Sequence, residues 1–107
     1  MARLVRGDVH LVRFGAPDKE RPALILTRET SLGRLTQITV APITSTIRGV
    51  PSEVILDATD GMKSPSAINL FNVGTVPETL IGRRVSALSA AKLKEVCAAL
   101  RFALGCD

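Results

Sequence analysis

The stretch Arg21-Pro22-Ala23-Leu24-Ile25-Leu26-Thr27 decides how this chain folds. Its apolar residues run without alternation and stop after a length suited to a strand, not a helix. That pattern predicts a central strand covered on both faces. Before it, Gly15-Ala16-Pro17-Asp18-Lys19-Glu20 reads as a polar Gly/Pro loop. Earlier still, Gly7 to Phe14 alternates Val9 and Leu11 with Asp8 and His10, the pattern of a half-buried strand; on its polar phase His10, a general base by residue type, better suits a surface or interface position. After the central run, Arg28 to Arg34 turns around Gly33, and Leu35 to Ile43 carries the β-branched enrichment of a further strand. Pro42 should end that strand's regular pairing or lie on an edge.

Outward from there, Ser52 to Leu56 and Ser66 to Phe71 are two more strand candidates, separated by the turn-rich Asp57 to Gly61. Pro77 to Leu80 suits a single helical turn, and Arg83 to Ser86 closes the sheet. From Ser89 the period becomes helical. Leu93, Val96, Cys97, Leu100 and Leu104 form one stripe, with Ser89 as N-cap, Leu88 and Leu93 at staple spacing, and Gly105 as the stop. The expected architecture is mainly β: a small, strongly curved sheet or barrel with a C-terminal helix, in one domain over residues 1–107.

Composition narrows the function. With 107 residues, 46% of them hydrophobic, the chain can bury a core without a disulfide or metal staple, and disorder is excluded. The N-terminal Met-Ala-Arg-Leu-Val-Arg has no apolar run of signal length, and no stretch reaches the roughly 18 apolar residues of a membrane span. A cytoplasmic protein, not a membrane one, is expected. The chain has 14 Lys plus Arg against 10 Asp plus Glu, a net charge of +4, and the whole excess lies in residues 1–48, with eight bases and four acids. An Arg-rich excess in one half points to an anionic partner, although the count alone favours a basic face kept for solubility. Phe14, Phe71 and Phe102 are the only aromatic residues, which argues against a base-stacking platform. His10 is the single histidine, so neither a His–His acid/base pair nor a His-based metal site is available. Cys97 and Cys106 are not in a C-x-x-C pattern; on one helix they would stand about 13 Å apart along the axis, so both should be reduced.

Two clusters carry reactive side chains. Arg21, just before the apolar run, can hold a phosphate bidentately, though position alone suits an ordinary loop cation. Thr44-Ser45-Thr46 with Arg48-Gly49 follows a strand end, where sites gather; a Ser/Thr-rich turn satisfying its own backbone fits the same spacing. Arg83 and Arg84 are adjacent strand residues on opposite faces, so only one can join a given site.

Taken in order, Arg6-Gly7-Asp8-Val9, Arg21-Pro22-Ala23-Leu24-Ile25-Leu26, Val40-Ala41-Pro42-Ile43-Thr44-Ser45-Thr46-Ile47-Arg48-Gly49, Pro51-Ser52-Glu53-Val54 and Leu100 to Gly105 resemble the MazF/PemK family of toxin endoribonucleases. The similarity covers nearly the whole chain. It implies an SH3-like curved β-barrel of the CcdB/PemK kind acting as a homodimer. The implied activity is metal-independent, sequence-specific cleavage of single-stranded RNA without a cofactor, held in check by a cognate MazE-like antitoxin.

The resemblance also assigns roles. The family's catalytic Arg falls on Arg21 and its catalytic Thr on Thr44. Lys19, Thr46 and Arg48 are implied RNA contacts, and Asn69 and Asn72 lie in the segment that contributes to the substrate groove. Two departures bear on the cleavage sequence: only Gly15 to Glu20 precedes the Arg-Pro strand, where many members have a longer loop, and Asn72-Val73-Gly74-Thr75 replaces Gln-Ile-Arg-Thr. The rivals are a CcdB-type gyrase poison, which uses a Trp near the chain end that is missing here, and a catalytically silent RNA-binding domain on the same scaffold.

Overall fold

In the computed structural model, which describes residues 4–15 and 19–106, the apolar run Ala23 to Leu26 lies at the centre of the molecule. Seven strands are present among the described residues: β1 (Asp8–Gly15), β2 (Lys19–Ile25), β3 (Gln37–Thr44), β4 (Glu53–Leu56), β5 (Ser66–Asn69), β6 (Gly74–Pro77) and β7 (Ile81–Ala87). Helix α1 (Ala90–Leu104) follows, and short helical turns occupy Glu29–Ser31, Ala58–Asp60, Leu70–Asn72 and Glu78–Leu80. The order across the sheet is β4-β5-β3-β2-β1-β7, with β6 on β3. All pairings are antiparallel. One edge of β3 takes β6 along its first half and β5 at its end, which curls the sheet into a half-barrel.

Alternation along β2 and β3 explains the unbroken apolar run. Leu24, Leu26, Ala41 and Ile43 face one cluster together with Val54, Leu56, Ile68, Leu70 and the helix residues Val96 and Ala99. Ala23, Ile25, Ile38 and Val40 face a second cluster with Val12, Leu32 and Val76. A strand with a core on each side has no polar phase to display. The same fact overturns the surface placement of His10. Its phase along β1 is that of Val12, so it is 3% exposed, with Nδ1–H donating to the Gly82 carbonyl at 2.9 Å.

Pro42 is not on an edge strand, but it does mark the end of regular pairing: the β2–β3 register closes with Pro42 opposite Ala23. Because Leu26 N–H bonds the Thr39 carbonyl, alternation turns the Pro42 backbone away from β2. On that side β6 pairing ends at Val40 and β5 pairing begins at Ile43. The missing N–H falls in the gap, where no ladder bond is lost.

The helix is capped as its sequence predicts. Ser89 Oγ accepts the Lys92 N–H at 3.1 Å, and Gly105 closes the end at φ 70°. Leu88 and Leu93 both pack on the first cluster. The buried stripe, however, is Leu93, Val96, Ala99, Leu100 and Ala103, whereas Leu104 is 63% exposed. Small alanines at 99 and 103 let the helix sit close against the sheet, and Leu104 falls outside that contact. Both cysteines are free, and Cys106 lies beyond the helix.

Candidate active site

Arg21 and Thr44 are brought together by strand register. β2 and β3 pair Leu24 with Ala41 and, last, Ala23 with Pro42; continuing that register two residues further puts Arg21 across from Thr44, and both line one cleft. Facing residues of an antiparallel pair project to one side. Their parity is that of Ala23, Ile25 and Val40, so the guanidinium and hydroxyl stand beyond the open end of the second cluster. Arg21 is exposed, with its backbone paired to Val12 of β1; it belongs to a strand and not to the lip of a loop, as does Lys19. Ala16, Pro17 and Asp18 of the expected loop lie outside the described residues.

A cleft of about 910 Å³ opens over this end of the sheet. Arg21, Thr44, Lys19, Thr46, Arg48, Asn69 and Asn72 all line it, so every residue proposed for the site from sequence reaches one surface. A second cleft, about 690 Å³, lies on the other side of Arg21, Ile43 and Thr44 and holds Lys63 and Arg83. Arg21 and Thr44 thus form a ridge between two open spaces. Arg84, pointing the other way from Arg83, donates from Nε to the buried Asp8 carboxylate at 3.0 Å. His10 lines neither cleft.

Local hydrogen bonds orient these groups. Thr44 Oγ1 accepts the Thr46 N–H at 3.1 Å, which leaves the Thr44 proton free to be donated outward. The exposed segment after β3 turns at Gly49, with φ +70°, and is tied down by Glu53: one carboxylate oxygen accepts the N–H groups of Arg48 and Gly49, each at 3.0 Å. Asn69 ends β5 with its Oδ1 accepting the Phe71 N–H at 3.0 Å, so Phe71 belongs to a helical turn and not to the strand.

Sequence reasoning missed three contributors to the cleft. Among the described residues Glu53 is its one acid, against Lys19, Arg21 and Arg48. The available signal was an acid just after a Gly-containing loop rich in unpaired N–H groups. Phe14 and Phe71 also line the cleft, two of the three aromatic residues whose scarcity argued against aromatic contacts. Nothing local in the sequence shows that they meet. Among the described residues, no three His, Cys, Asp or Glu side chains gather as metal ligands, and no helix is long and apolar enough to cross a membrane.

Comparison with known proteins agrees with this arrangement. The chain is 42% identical over 99 residues to Endoribonuclease MazF3 of Mycobacterium tuberculosis, covering 92% of this chain and 93% of that one. It superposes on the Mycobacterium tuberculosis toxin MazF-mt6 with a TM-score of 0.87 at 39% identity, over 94% of this chain and 98% of that one. A mycobacterial endoribonuclease solved in complex with its cognate antitoxin shares the fold at 22% identity, with a TM-score of 0.87 over 97% of both chains. The model of the PemK-like, MazF-like toxins of type II toxin-antitoxin systems matches residues 5–104, and the chain belongs to that family.

Proposed function

We propose that this chain is a toxin endoribonuclease whose cleavage centre is Arg21 and Thr44, and that it cuts single-stranded RNA with the RNA's own 2′-hydroxyl as nucleophile. One observation carries the assignment of the centre: the β2–β3 register sets a guanidinium beside an oriented hydroxyl on a ridge between two open clefts. In-line attack of the 2′-oxygen forms a phosphorane, and departure of the 5′-oxygen leaves a 2′,3′-cyclic phosphate and a 5′-hydroxyl. The charge that builds on the non-bridging oxygens is what a fixed bidentate guanidinium stabilises. The role assigned to Arg21 is that of charge stabiliser. Thr44, its oxygen already engaged by the Thr46 N–H, donates to a phosphoryl oxygen.

Around the centre, Lys19 and Arg48 contact backbone phosphates and Thr46 adds a hydroxyl. Asn72 and the free amide N–H groups of Asn69 read base edges. Gly74 lines the same cleft without a side chain, so the recognised sequence differs from that of members with a basic residue there. DNA, lacking the 2′-hydroxyl, is not cut. A mycobacterial relative of this fold is known with its cognate antitoxin, and an acidic, partly apolar antitoxin segment laid over the Lys19–Arg21–Arg48 cleft suits the present chain, which works as a homodimer in the cytoplasm, where its RNA substrate is found. The relatives are named as endoribonucleases and the chain has no Trp, which disfavours the gyrase-poison reading.

The test is digestion of a long RNA in EDTA with mapping of both ends of the products. Wild-type protein gives defined fragments with cyclic-phosphate and 5′-hydroxyl ends, and folded Arg21→Ala and Thr44→Ala proteins do not. Wild-type rates in both variants remove these residues from the centre; intact RNA together with gyrase inhibition removes the nuclease reading.

A further inference from the structure

Neither apolar cluster contains a phenylalanine. Burial is the ordinary use of so large an apolar side chain. Here Phe14 and Phe71 are 38% and 61% exposed and line the cleft that holds Arg21 and Thr44. Phe102 of α1, 53% exposed, stands behind Phe71 with ring centroids 6.4 Å apart and planes inclined at 59°. Phe14 and Phe71 thus share the cleft lining, and Phe102 packs against Phe71 from outside it.

Phe71 is also held rigidly. Its N–H is bound by Asn69 Oδ1, and the neighbouring Leu70 is fully buried with its N–H on the Ser52 carbonyl at 3.0 Å. A flat apolar face is therefore presented on a fixed backbone, beside Lys19, Arg21 and Arg48. Cations for an anionic backbone and a fixed ring for a flat π-face together suit a single-stranded nucleic acid.

We infer that Phe71, backed by Phe102 and sharing the cleft with Phe14, is a stacking platform for one unpaired base of the RNA substrate. The inference rests on the RNA-cleaving reading above and adds to it a requirement on the substrate. Every base has a face to stack, so the ring selects for an unpaired, splayed nucleotide, and Asn69 and Asn72 select among bases by their edges. Sites inside a duplex stem are resistant for this reason.

The experiment starts from a cleavage site mapped with the wild-type protein and uses a short 2′-O-methyl RNA spanning it, which cannot be cut. Phe71→Ala weakens binding about 5- to 150-fold, the range for loss of one stacked base. Phe71→Trp restores affinity and Phe71→Leu does not. Phe71→Ala leaves the salt dependence of binding unchanged, whereas Arg48→Ala reduces it. An abasic nucleotide at one position mimics Phe71→Ala and adds nothing to it. Should Phe71→Ala fail to fold, the abasic series on wild-type protein reads the same subsite through a single sensitive position.

Wild-type affinity in Phe71→Ala, wild-type affinity in Phe71→Leu, or an abasic series without a sensitive position overturns the stacking platform while leaving the nuclease reading intact. Unchanged RNA binding with weakened antitoxin binding also overturns it and reassigns the ring to the protein partner. If the wild-type protein cuts no RNA, the nuclease reading fails, and the platform with it.

Discussion

Two ends of one ladder serve opposite purposes in this protein. In the middle of β2 and β3, Ala23, Ile25, Ile38 and Val40 are sealed in the second cluster. Two residues further along β2, and at the end of β3, Arg21 and Thr44 share that register and phase but face an open cleft. The buried end gives stability, and the open end is where we propose the chemistry. Because the strands are continuous, the rigidity of the first fixes the geometry of the second. A change in the core should therefore cost folding energy, and a change at the open end should cost rate.

The largest effects test that division directly. Ile25→Ala, fully buried in the second cluster, should cost about 2–5 kcal/mol and lower Tm on the order of 10 °C or more, with cleavage by the folded fraction little changed. Arg21→Ala should leave Tm within about 2 °C, because the side chain is exposed, while cleavage falls about 10²- to 10³-fold. Thermal melts and single-turnover rates on both proteins check the pair. Equal destabilisation by the two changes would break the division.

Glu53→Ala should give an intermediate effect. It frees the N–H groups of Arg48 and Gly49 and loosens the segment that carries Thr46 and Arg48. Cleavage is expected to fall on the order of 10-fold through lost positioning, with stability nearly unchanged because those groups reach water. Glu53→Gln keeps an oxygen acceptor and should recover most of the rate. A Gln variant as poor as Ala would show that the charge in the cleft, and not the tether, is what matters.

The smallest effect lies away from both ends. Asp57 accepts from the Thr59 hydroxyl and backbone N–H, and with help from the charge of Lys92 these bonds hold its pKa below the usual carboxylate range. A depressed carboxylate stabilises the fold above its unfolded pKa and loses that contribution as pH falls through the folded one. Stability should therefore decline in acid below about pH 4, and Asp57→Asn should flatten that limb of the curve. Denaturant titrations between neutral pH and pH 3 check it; cleavage at neutral pH should not respond.

Much of this was legible in the chain because it depends on neighbours in sequence. The run Pro22 to Leu26 announces a strand with two covered faces, and Ser89 with Gly105 delimits the helix, since caps are local hydrogen-bonding requirements. The ordered blocks around Arg21 and Thr44 pointed to the site residues and to the family that the comparisons establish. His10 was misjudged because alternation tells which residues share a face and not what lies against it. Pro42 does interrupt regular pairing, but that it does so inside the sheet and not on an edge depends on where β6 stops and β5 starts, two strands remote in sequence.

The aromatic residues mark the same boundary. By composition, three phenylalanines weigh against a stacking surface; in three dimensions β1 and the turn after β5 carry two of them to one cleft, and α1 sets the third against Phe71. By itself the sequence determined most of the elements, though not β6 or the start of β2, together with the two-sided central strand, the family and the side chains capable of phosphate chemistry, because short-range pattern and chain order encode them. Only the tertiary structure decided that Arg21 faces Thr44, that Glu53 tethers Arg48, and that the aromatics converge. The first and last join residues far apart in the chain, which only the packing of strands and helix brings together, and the Glu53 tether, though local, needs the turn at Gly49 to form.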